Sequence, residues 1–351
     1  MGEVSLWRVR GANARKIGLV GLVLLALGTS GCAPESAVPM PIPTPSYTST
    51  YETPAPTVIA PLTGMVIPAG SAINPSLAAK IDNHIAARPQ VGLERTDIVF
   101  EELVEGGLTR YVAVWQSDIP EEIGPVRSIR PMDPDIISAF GGIVCYSGGQ
   151  PQFVALMKAA PVFNAIHGQA ATADTFYRTK TKAAPHNVLV KASIVVSEHP
   201  DLPAPGQQFA FSLDTPSSTA FKDGQVATAV NLVFSNATAP SWTFDPTLGK
   251  YLRAQLGVPD MDSNGAQLTA MNMLVLRVGV VVTNKIPKTQ LIGSGEAWVS
   301  SGGKTIHATW SKGSATSPIA LVDDQGVTVR LAPGNTWIEM VPNAGSVTLV
   351  P

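Results

Sequence analysis

The chain has 351 residues, of which 45% are hydrophobic and 14% are charged, and its net charge is −2 at pH 7. This length is sufficient for two domains with a sizeable core. The mildly acidic balance and the lack of a basic run argue against nucleic-acid binding, which needs a basic face to contact the phosphate backbone.

Residues 1–31 are predicted to be a lipoprotein signal peptide. A basic stretch ending at Lys16 precedes the apolar run IGLVGLVLLALG, and TSGC follows. The run is too short to span a bilayer comfortably and has signal-peptide proportions. Small residues before Cys32 resemble a bacterial lipobox, which predicts cleavage before Cys32 and its diacylation (palmitate or a similar acid). Two acyl chains anchor a protein stably to a membrane. The alternative is a secretory signal with an incidental cysteine.

Residues 32–61 are rich in Pro, Thr and Ser and show no apolar periodicity. This composition is typical of an extended, solvated tether, which would hold a folded body away from the membrane. Cys145 is the only other cysteine, so acylation of Cys32 leaves no intrachain disulfide. An exported protein of this kind must rely on its core for stability.

Residues 62–205 are predicted to form a mixed α/β domain. The β-rich runs LAAKIDN, DIVFEELV, TRYVAVW and GIVCYSGG are predicted strands, and QPQFVALMKAA is a predicted helix with Pro151 near its first position. A strand, a Gly-Gly turn and a helix in succession form a βα unit. This pattern favours helices and strands packed in one domain.

Residues 206–351, after the Pro/Gly-rich break HPDLPAPGQQ, are predicted to form a β-rich domain. The runs VNLVFS, MLVLRVGVVV, GEAWVSSGGKTIHATWSK, GVTVRL and TWIEMVP alternate or carry β-branched residues, and SSGG marks a hairpin turn. The predicted fold class is therefore α+β: a mixed α/β N-terminal domain followed by a mostly antiparallel β C-terminal domain.

Charge is concentrated between Arg88 and Pro131, where thirteen charged side chains occur in 44 residues. On a strand, Glu101 and Glu105 would share a face about 13 Å apart. The carboxylate pairs of glycosidases lie about 5 to 9.5 Å apart. These two residues alone are therefore not expected to form such a pair, although Asp82 from another strand could complete one.

Three arginines follow glycine-containing bends in the same region. Arg110 follows EGGLT, and Arg127 and Arg130 follow a Gly-Pro turn. Arginine makes bidentate contacts with carboxylate or phosphate groups. Three interpretations stay open: a structural network that neutralises the nearby carboxylates, a cleft for an anionic or sugar-like ligand, and a catalytic site.

Other residues give weaker signals. His186, in KAAPHNVLV, could be a general acid or a ligand contact. The five histidines have no metal-binding spacing, so neither a metal nor a cofactor is predicted. Cys145 lies in an apolar strand, where cysteine is usually an inert hydrophobe. Trp298, Trp310 and Trp337 lie on predicted strands, either as core residues or as an aromatic platform for a glycan.

Several of these segments are similar to the YerB-like bacterial lipoproteins, a family of unknown function (DUF3048) with a separate C-terminal domain. The similar segments are KIDNHIAARPQVGLERTDIVFEELVEGGLTRYVAVW, DIPEEIGPVRSIRP, YSGG, APHN, ATWSK and PGNTWIEMVP. The resemblance covers nearly everything after the tether. It implies a two-domain, membrane-anchored lipoprotein outside the cytoplasm, and it implies no activity.

The positions that match these motifs are the candidate ligand-binding residues. They are Asp82, Asn83, Arg88, Glu101, Glu105, Arg110, Arg127, Arg130, His186 and Asn187. The predicted function is a lipid-anchored extracytoplasmic protein that binds a polar or anionic cell-envelope ligand or a partner protein. One alternative is an envelope hydrolase or transferase acting on glycan or peptidoglycan, with Asp82, Glu101 or Glu105 as acid/base. The other is a non-catalytic envelope scaffold.

Overall fold

The computed structural model describes residues 51–351, and residues 54–351 form one compact unit. The predicted signal peptide, Cys32 and most of the predicted tether lie outside the described residues. The unit begins with a two-stranded hairpin, β1 (Thr57–Ile59) paired with β2 (Val66–Pro68), and Leu62 is fully buried beside it. The folded unit therefore includes the last residues of the segment predicted as a tether.

Strands dominate the rest of the unit. Up to residue 205 they are β3 (Leu77–Asp82), β4 (Ile98–Leu103), β5 (Thr109–Trp115), β6 (Glu122–Ile123), β7 (Ile143–Tyr146), β8 (Phe163–Ile166), β9 (Phe176–Arg178) and β10 (Val188–Lys191). Beyond it they are β11 (Gln225–Val226), β12 (Ala229–Val233), β13 (Pro240–Asp245), β14 (Lys250–Gln255), β15 (Val258–Pro259), β16 (Thr269–Ala270), β17 (Asn272–Thr283), β18 (Ile286–Gln290), β19 (Gly293–Ser301), β20 (Lys304–Lys312), β21 (Ala320–Asp323), β22 (Thr336–Pro342) and β23 (Ser346–Val350).

The helices are short. The α-helices are α1 (Asp133–Ile137), α2 (Pro151–Lys158), α3 (Ala192–Ser197) and α4 (Thr219–Asp223). Single 3₁₀ turns cover Ile85–Ala87, Leu93–Arg95, Glu105–Gly107 and Ala170–Thr172. The unit is thus mostly β with few helices, which confirms the β-rich part of the predicted fold class. The description of residues 62–205 as a mixed α/β domain stays a prediction.

Twelve strands form the largest sheet, in the order β11-β20-β19-β17-β22-β4-β5-β3-β7-β8, with β18 beside β17 and β21 beside β20. Strand β22 is parallel to both neighbours, β17 from its own half of the sequence and β4 from the other half. Strands β3, β7 and β8 are also parallel to one another. Strands from both predicted domains therefore share one sheet, and the division at residues 205 and 206 stays a prediction.

Each face of this sheet covers a separate hydrophobic core. Residues Val112 and Val114 of β5 contact one core, whereas Tyr111 and Ala113 contact the other, as the alternation of a strand requires. Helices α1 and α2 cover the first core. The second lies under a six-stranded sheet (β15-β14-β13-β12-β23, with β16 beside β14), the small β6-β10-β9 sheet and α3. A charged side chain on a central strand is therefore buried, whichever face it occupies.

The shared sheet predicts that residues 54–351 unfold in one cooperative step. Removing β22 from β4 would expose buried strand edges on both sides, so neither part of the sheet is expected to persist without the other. We expect urea-unfolding curves followed by far-UV circular dichroism and by tryptophan fluorescence to coincide. Two separate transitions, or a cooperative transition for residues 54–205 alone, would contradict this expectation.

Candidate functional site

A cluster of polar side chains lies where three parallel strands end. Asp82 is the last residue of β3, Ser147 follows β7, and His167 follows β8. The loop that carries Arg127 crosses these strand ends. The backbone N–H of Arg127 donates to Lys80 O (2.7 Å), and the backbone carbonyl of Arg127 accepts from Ser147 N (3.0 Å). The carboxyl ends of parallel strands are the usual place for ligand sites in open sheets.

Three arginine side chains meet at this edge, and we call Arg110, Arg127 and Arg130 the arginine cluster. Arg110 Nη1 (2.8 Å) and Arg130 Nη1 (3.2 Å) donate to the same carbonyl oxygen, that of Ser128. Arg130 Nε also donates to Glu105 Oε2 at 2.8 Å. The two guanidinium groups are thus held close together although their charges repel.

Arg110 differs from the other two because no carboxylate within residues 51–351 forms an ion pair with it. Its strand neighbours are Asp82 on β3 and Glu102 on β4, and both form their ion pairs with other cations. Arg110 is only 7% exposed. Burial, together with the charges of Arg130 and Arg127, lowers its pKa to about 10. A nearly buried cation without an anionic partner is an electrostatic site for an anion.

His186 is held by Asp82. His186 Nδ1 lies 2.6 Å from Asp82 Oδ2, and its ring stacks on that of His84 with the centroids 4.4 Å apart. Arg127 Nε lies 3.2 Å from the same carboxylate oxygen. Within the described chain, His186 Nε2 has no partner. The carboxylate therefore orients an imidazole whose second nitrogen is available to a ligand.

Asn187 positions the loop that carries His186. Its amide nitrogen donates to the carbonyl oxygens of Thr179 (3.1 Å) and Lys182 (3.2 Å), and its amide oxygen accepts from Arg178 Nη1 (2.7 Å). These bonds close the loop between residues 179 and 187. The side chain is buried and acts on the loop rather than at the polar edge.

Glu105 forms the outer wall of the cluster, with its side chain 33% exposed. Burial is the largest influence and opposes its ionisation, but the hydrogen bond from Arg130, a backbone hydrogen bond and the charges of Arg130 and Arg110 together lower the pKa of the carboxyl group. The expectation that Glu105 shares a face with Glu101 does not hold. Strand β4 ends at Leu103, and the chain turns at Gly106 and Gly107, both of which have a φ of +73°.

A second ion cluster lies beneath the arginines. Lys80 is fully buried and forms ion pairs with Glu102 and with Asp133, the latter at 2.7 Å. Asp133 also accepts from the backbone N–H of Arg130 at 2.5 Å, so this cluster fixes the arginine loop. Burial lowers the pKa of Lys80 to about 8. A lone lysine inside the apolar run LAAKIDN is the sequence signal that could have identified it.

Asn83, Arg88 and Glu101 lie on the other face of the sheet, in what we call the Arg253 network. Arg253 is fully buried and forms ion pairs with Glu101 and Asp260, and its Nε is 3.8 Å from Glu339 Oε1. The network continues outward through hydrogen bonds. Asn83 donates to Glu101 (3.3 Å) and accepts from Arg88 Nε (3.1 Å), and Gln255 accepts from Arg88.

Aromatic rings enclose the Arg253 guanidinium. Its carbon lies 5.3 Å from the Tyr111 ring centroid, 5.7 Å from that of Trp242 and 5.1 Å from that of Trp337. The three rings and the burial of every charged partner leave no route for a ligand to Glu101. For Asn83, Arg88 and Glu101, the structure thus fits the structural interpretation that the sequence left open. Arg253 was missed, although the alternation of KYLRAQ places it on the same face as Tyr251.

Two further observations bear on chemistry. Ser147 Oγ lies 3.1 Å from His167 Nδ1, a pair that sequence spacing did not suggest. Cys145 is fully buried, and burial raises the pKa of its thiol, so it behaves as an inert hydrophobe. In the described part of the chain, no group of three or more His, Cys, Asp or Glu side chains is arranged to hold a metal ion.

Two family models match the chain. The N-terminal domain of a protein of unknown function (DUF3048) matches residues 62–201, and the C-terminal domain of the same family matches residues 230–338. The Bacillus subtilis protein named "Putative lipoprotein YerB" is 26% identical over 302 residues, which cover 83% of this chain and 88% of that protein. The crystal structure of YerB from Bacillus subtilis has a TM-score of 0.72 and 24% identity, and covers 83% of this chain and 99% of that one. This structural likeness shows the fold.

The Arg253 network predicts that Glu339→Gln and Glu101→Gln have different effects on the free energy of unfolding, although both replace Glu by Gln. Burial and the charge of Glu101 raise the pKa of Glu339 well above 4.5, so the folded protein keeps a proton that the unfolded chain releases as pH rises. This group therefore lowers the free energy of unfolding as pH rises above 4.5, by up to about 1.4 kcal/mol per pH unit until its folded-state pKa is reached. We expect Glu339→Gln to be at least as stable as the parent at neutral pH and to lack this slope.

Glu101→Gln is the matched comparison, because it removes a charged partner of a buried arginine. We expect it to lower the free energy of unfolding by about 3 kcal/mol or more. Urea unfolding of parent and both variants between about pH 5 and pH 8 measures both effects. Equal destabilisation by the two substitutions would show that Glu339 is ionised and that the proposed charge distribution is wrong.

Proposed function

This chain belongs to the DUF3048 family of YerB-like lipoproteins, and on that premise we propose that it binds an anionic cell-envelope ligand through the arginine cluster. The ligand class is a polymer or fragment that carries phosphate or carboxylate groups. Binding takes place at the extracytoplasmic face of the cell membrane, where a lipid on Cys32 holds the chain.

Support for the lipid anchor comes from the sequence and from the relative. The sequence TSGC follows an apolar run of signal-peptide length, and a relative that matches 83% of this chain carries the word lipoprotein in its name. Within residues 51–351, no helix is long and apolar enough to cross a membrane. A diacylated cysteine followed by the Pro/Thr/Ser-rich segment would place the folded unit at a short distance from the bilayer.

The observation that carries the proposal is the unpaired, nearly buried charge of Arg110. Burying a cation beside two others costs free energy, and a bound anion would offset part of that cost. At the edge, Asp82 pairs with Arg127 and Glu105 with Arg130, whereas Glu102 and Asp133 beneath them pair with Lys80. Within the described residues Arg110 is therefore the arginine of the cluster that has no ion-pair partner.

The geometry suits a multidentate anion. Arg127 and Arg130 expose 22% and 12% of their side chains, and His186 exposes 16%. Planar guanidinium groups bind phosphate or carboxylate through paired N–H donors, and a neighbouring imidazole adds a further donor when protonated. An acidic surface of a partner protein would present the same chemistry, and the experiment below separates it from a polymer.

We predict that an anionic envelope polymer raises the melting temperature of residues 54–351 and that the arginine cluster accounts for the binding. Arg110→Gln and Arg127→Gln are expected to weaken the affinity for a glycerol phosphate polymer or for muropeptides by about tenfold or more. Salt is expected to weaken binding in the parent. Titration calorimetry with each polymer measures these affinities.

Arg95→Gln is the control, because Arg95 is exposed and paired with Asp118, away from the cluster. It should leave binding unchanged. Without ligand, the Arg110→Gln variant should have a melting temperature equal to or above that of the parent, since the substitution removes an unpaired buried charge. No binding of any polymer, together with a much lower melting temperature for Arg110→Gln, would overturn the proposal and favour the scaffold. Binding only to an envelope protein would favour the partner alternative.

A hydrolase or transferase of envelope glycan or peptidoglycan is the second candidate, and the pair of Asp82 and His186 favours it. A carboxylate that orients an imidazole is a common general acid–base arrangement. Glu101 is buried in the Arg253 network and is therefore excluded as the acid/base of such an enzyme. Glu105 is not excluded, because its carboxylate is partly exposed beside Arg130.

This second candidate predicts turnover that depends on His186. We expect His186→Gln to lower the rate of muropeptide release from peptidoglycan by about a hundredfold or more, the usual range for a lost acid–base group. Chromatography coupled to mass spectrometry measures the products. His199→Gln, which changes a histidine at the end of α3, should retain the parent rate. Absence of turnover by the parent, or equal rates for the two variants, would rule out the hypothesis that the protein is such an enzyme.

A further inference from the structure

A groove of about 560 Å³ lies on the other half of the unit, away from the arginine cluster. It opens where the β19 and β20 end of the large sheet meets Leu349 of β23, the end of α4 and the turn after β21. The residues that line it and matter here are Trp298, His307, Asp223, Asp323, Asp324 and Gln325. None of them contributes to the site described above.

Trp298 is exceptional among the tryptophans of the folded unit. Trp115, Trp242, Trp310 and Trp337 are each at most 2% exposed. Trp298 is partly exposed: it packs against the second core and also lines the groove. Its indole N–H has no partner within residues 51–351. Of the three tryptophans that the sequence offered as core or glycan platform, only Trp298 is more than 2% exposed.

Hydrogen bonds connect the side chains of the wall beside Trp298. His307, directly opposite Trp298 on β20, has Nδ1 2.6 Å from Asp324 Oδ1 and Nε2 3.2 Å from Glu296 Oε1. The hydrogen bond to Asp324, supported by Glu296, raises the pKa of His307. Its ring meets the Trp298 indole edge to face, with the centroids 5.7 Å apart. The imidazole thus forms part of the wall beside the indole.

The far side of the groove is also fixed. Asp323 Oδ1 accepts from the backbone N–H groups of Gln325 (2.9 Å) and Val327 (2.8 Å), which sets the turn after β21. The carboxylate of Asp223 and the amide of Gln325 have no side-chain partner in the described part of the chain. The carboxylates of Asp223 and Asp323 and the amide of Gln325 therefore line the same groove as the indole of Trp298, and they offer hydrogen-bonding groups to a ligand.

We propose that this groove binds the sugar rings of a neutral or amino-bearing oligosaccharide. The C–H face of a pyranose packs on the indole of Trp298, and its hydroxyl groups donate to Asp223 and Gln325. The groove carries the carboxylates of Asp223, Asp323 and Asp324 against one imidazole, that of His307, so it repels acidic sugars and phosphates. It selects the opposite class of ligand from the arginine cluster, and the two sites are independent.

The test uses the full chain, purified in a detergent without a sugar head group, and three probes. Chitotetraose is the neutral probe, its deacetylated form is the amino-bearing probe, and polygalacturonate is the acidic one. Titration calorimetry should detect binding of one or both of the first two. Trp298→Ala should weaken that binding by about tenfold or more, and Trp298→Phe should stay within about threefold of the parent.

Asp223→Lys is the second variant, since Asp223 is exposed and its change should not affect folding. It is expected to weaken binding of the deacetylated probe by about tenfold. Asp201→Lys makes the same charge change at another exposed position and should bind as the parent does. Failure of both oligosaccharides to bind the folded parent would overturn the proposal. So would affinities that Trp298→Ala and Asp223→Lys leave unchanged, or Trp298-dependent binding of polygalacturonate.

Discussion

The fold depends on a buried cation between two sheets. Arg253 lies on the six-stranded sheet, and two of the carboxylates around it, Glu101 and Glu339, lie on adjacent strands of the large sheet. Taking the charges of Arg253 and Glu101 out of water costs several kcal/mol each, and their ion pair offsets much of this cost. Packing of the two sheets therefore depends on bringing Arg253 to Glu101. Glu101 and Glu339 lie opposite each other in the parallel pairing of β4 and β22, which joins the two halves of the sequence in one sheet.

The same strand, β4, explains why a chain with little charge has so much of it between Arg88 and Pro131. Because side chains alternate across a sheet, Glu101 enters the Arg253 network, while its neighbour Glu102 reaches Lys80 on the opposite face. With a core on each face, every charge on β3, β4 and β5 needs a buried partner. The charge-rich segment therefore supplies two separate networks. Incomplete pairing occurs at the strand ends, where Arg110 meets the loop that carries Arg127 and Arg130.

Local sequence signals predicted the local parts of this arrangement. Apolar runs between glycine and proline breaks gave β3, β4, β5 and β7, and Pro151 after a Gly-Gly turn gave the start of α2. The glycine-containing bends before Arg110 and Arg127 precede side chains that lie at one edge of the sheet. Periodicity within one strand carries no information about partners far along the chain, and Arg253 is 152 positions from Glu101. For the same reason the pairing of β22 with β4, across the predicted division at residues 205 and 206, could not be expected from the sequence. The prediction that Glu101 and Glu105 share a face was wrong because β4 ends at Leu103 and Glu105 begins a 3₁₀ turn.

The two proposed sites differ in the charge that the fold leaves unbalanced. At the arginine cluster, Lys80, Glu102 and Asp133 fix the supporting loop, and Arg110 has no ion-pair partner among the described residues. At the groove, His307 is saturated by Asp324 and Glu296, so the remaining carboxylates give an excess of negative charge. A group that neutralises Arg110 is therefore repelled from Trp298, and a sugar that packs on Trp298 does not satisfy Arg110. A polymer that separates neutral or amino-bearing sugars from anionic groups carries both classes of ligand, so two such sites on one protein would contact different parts of it.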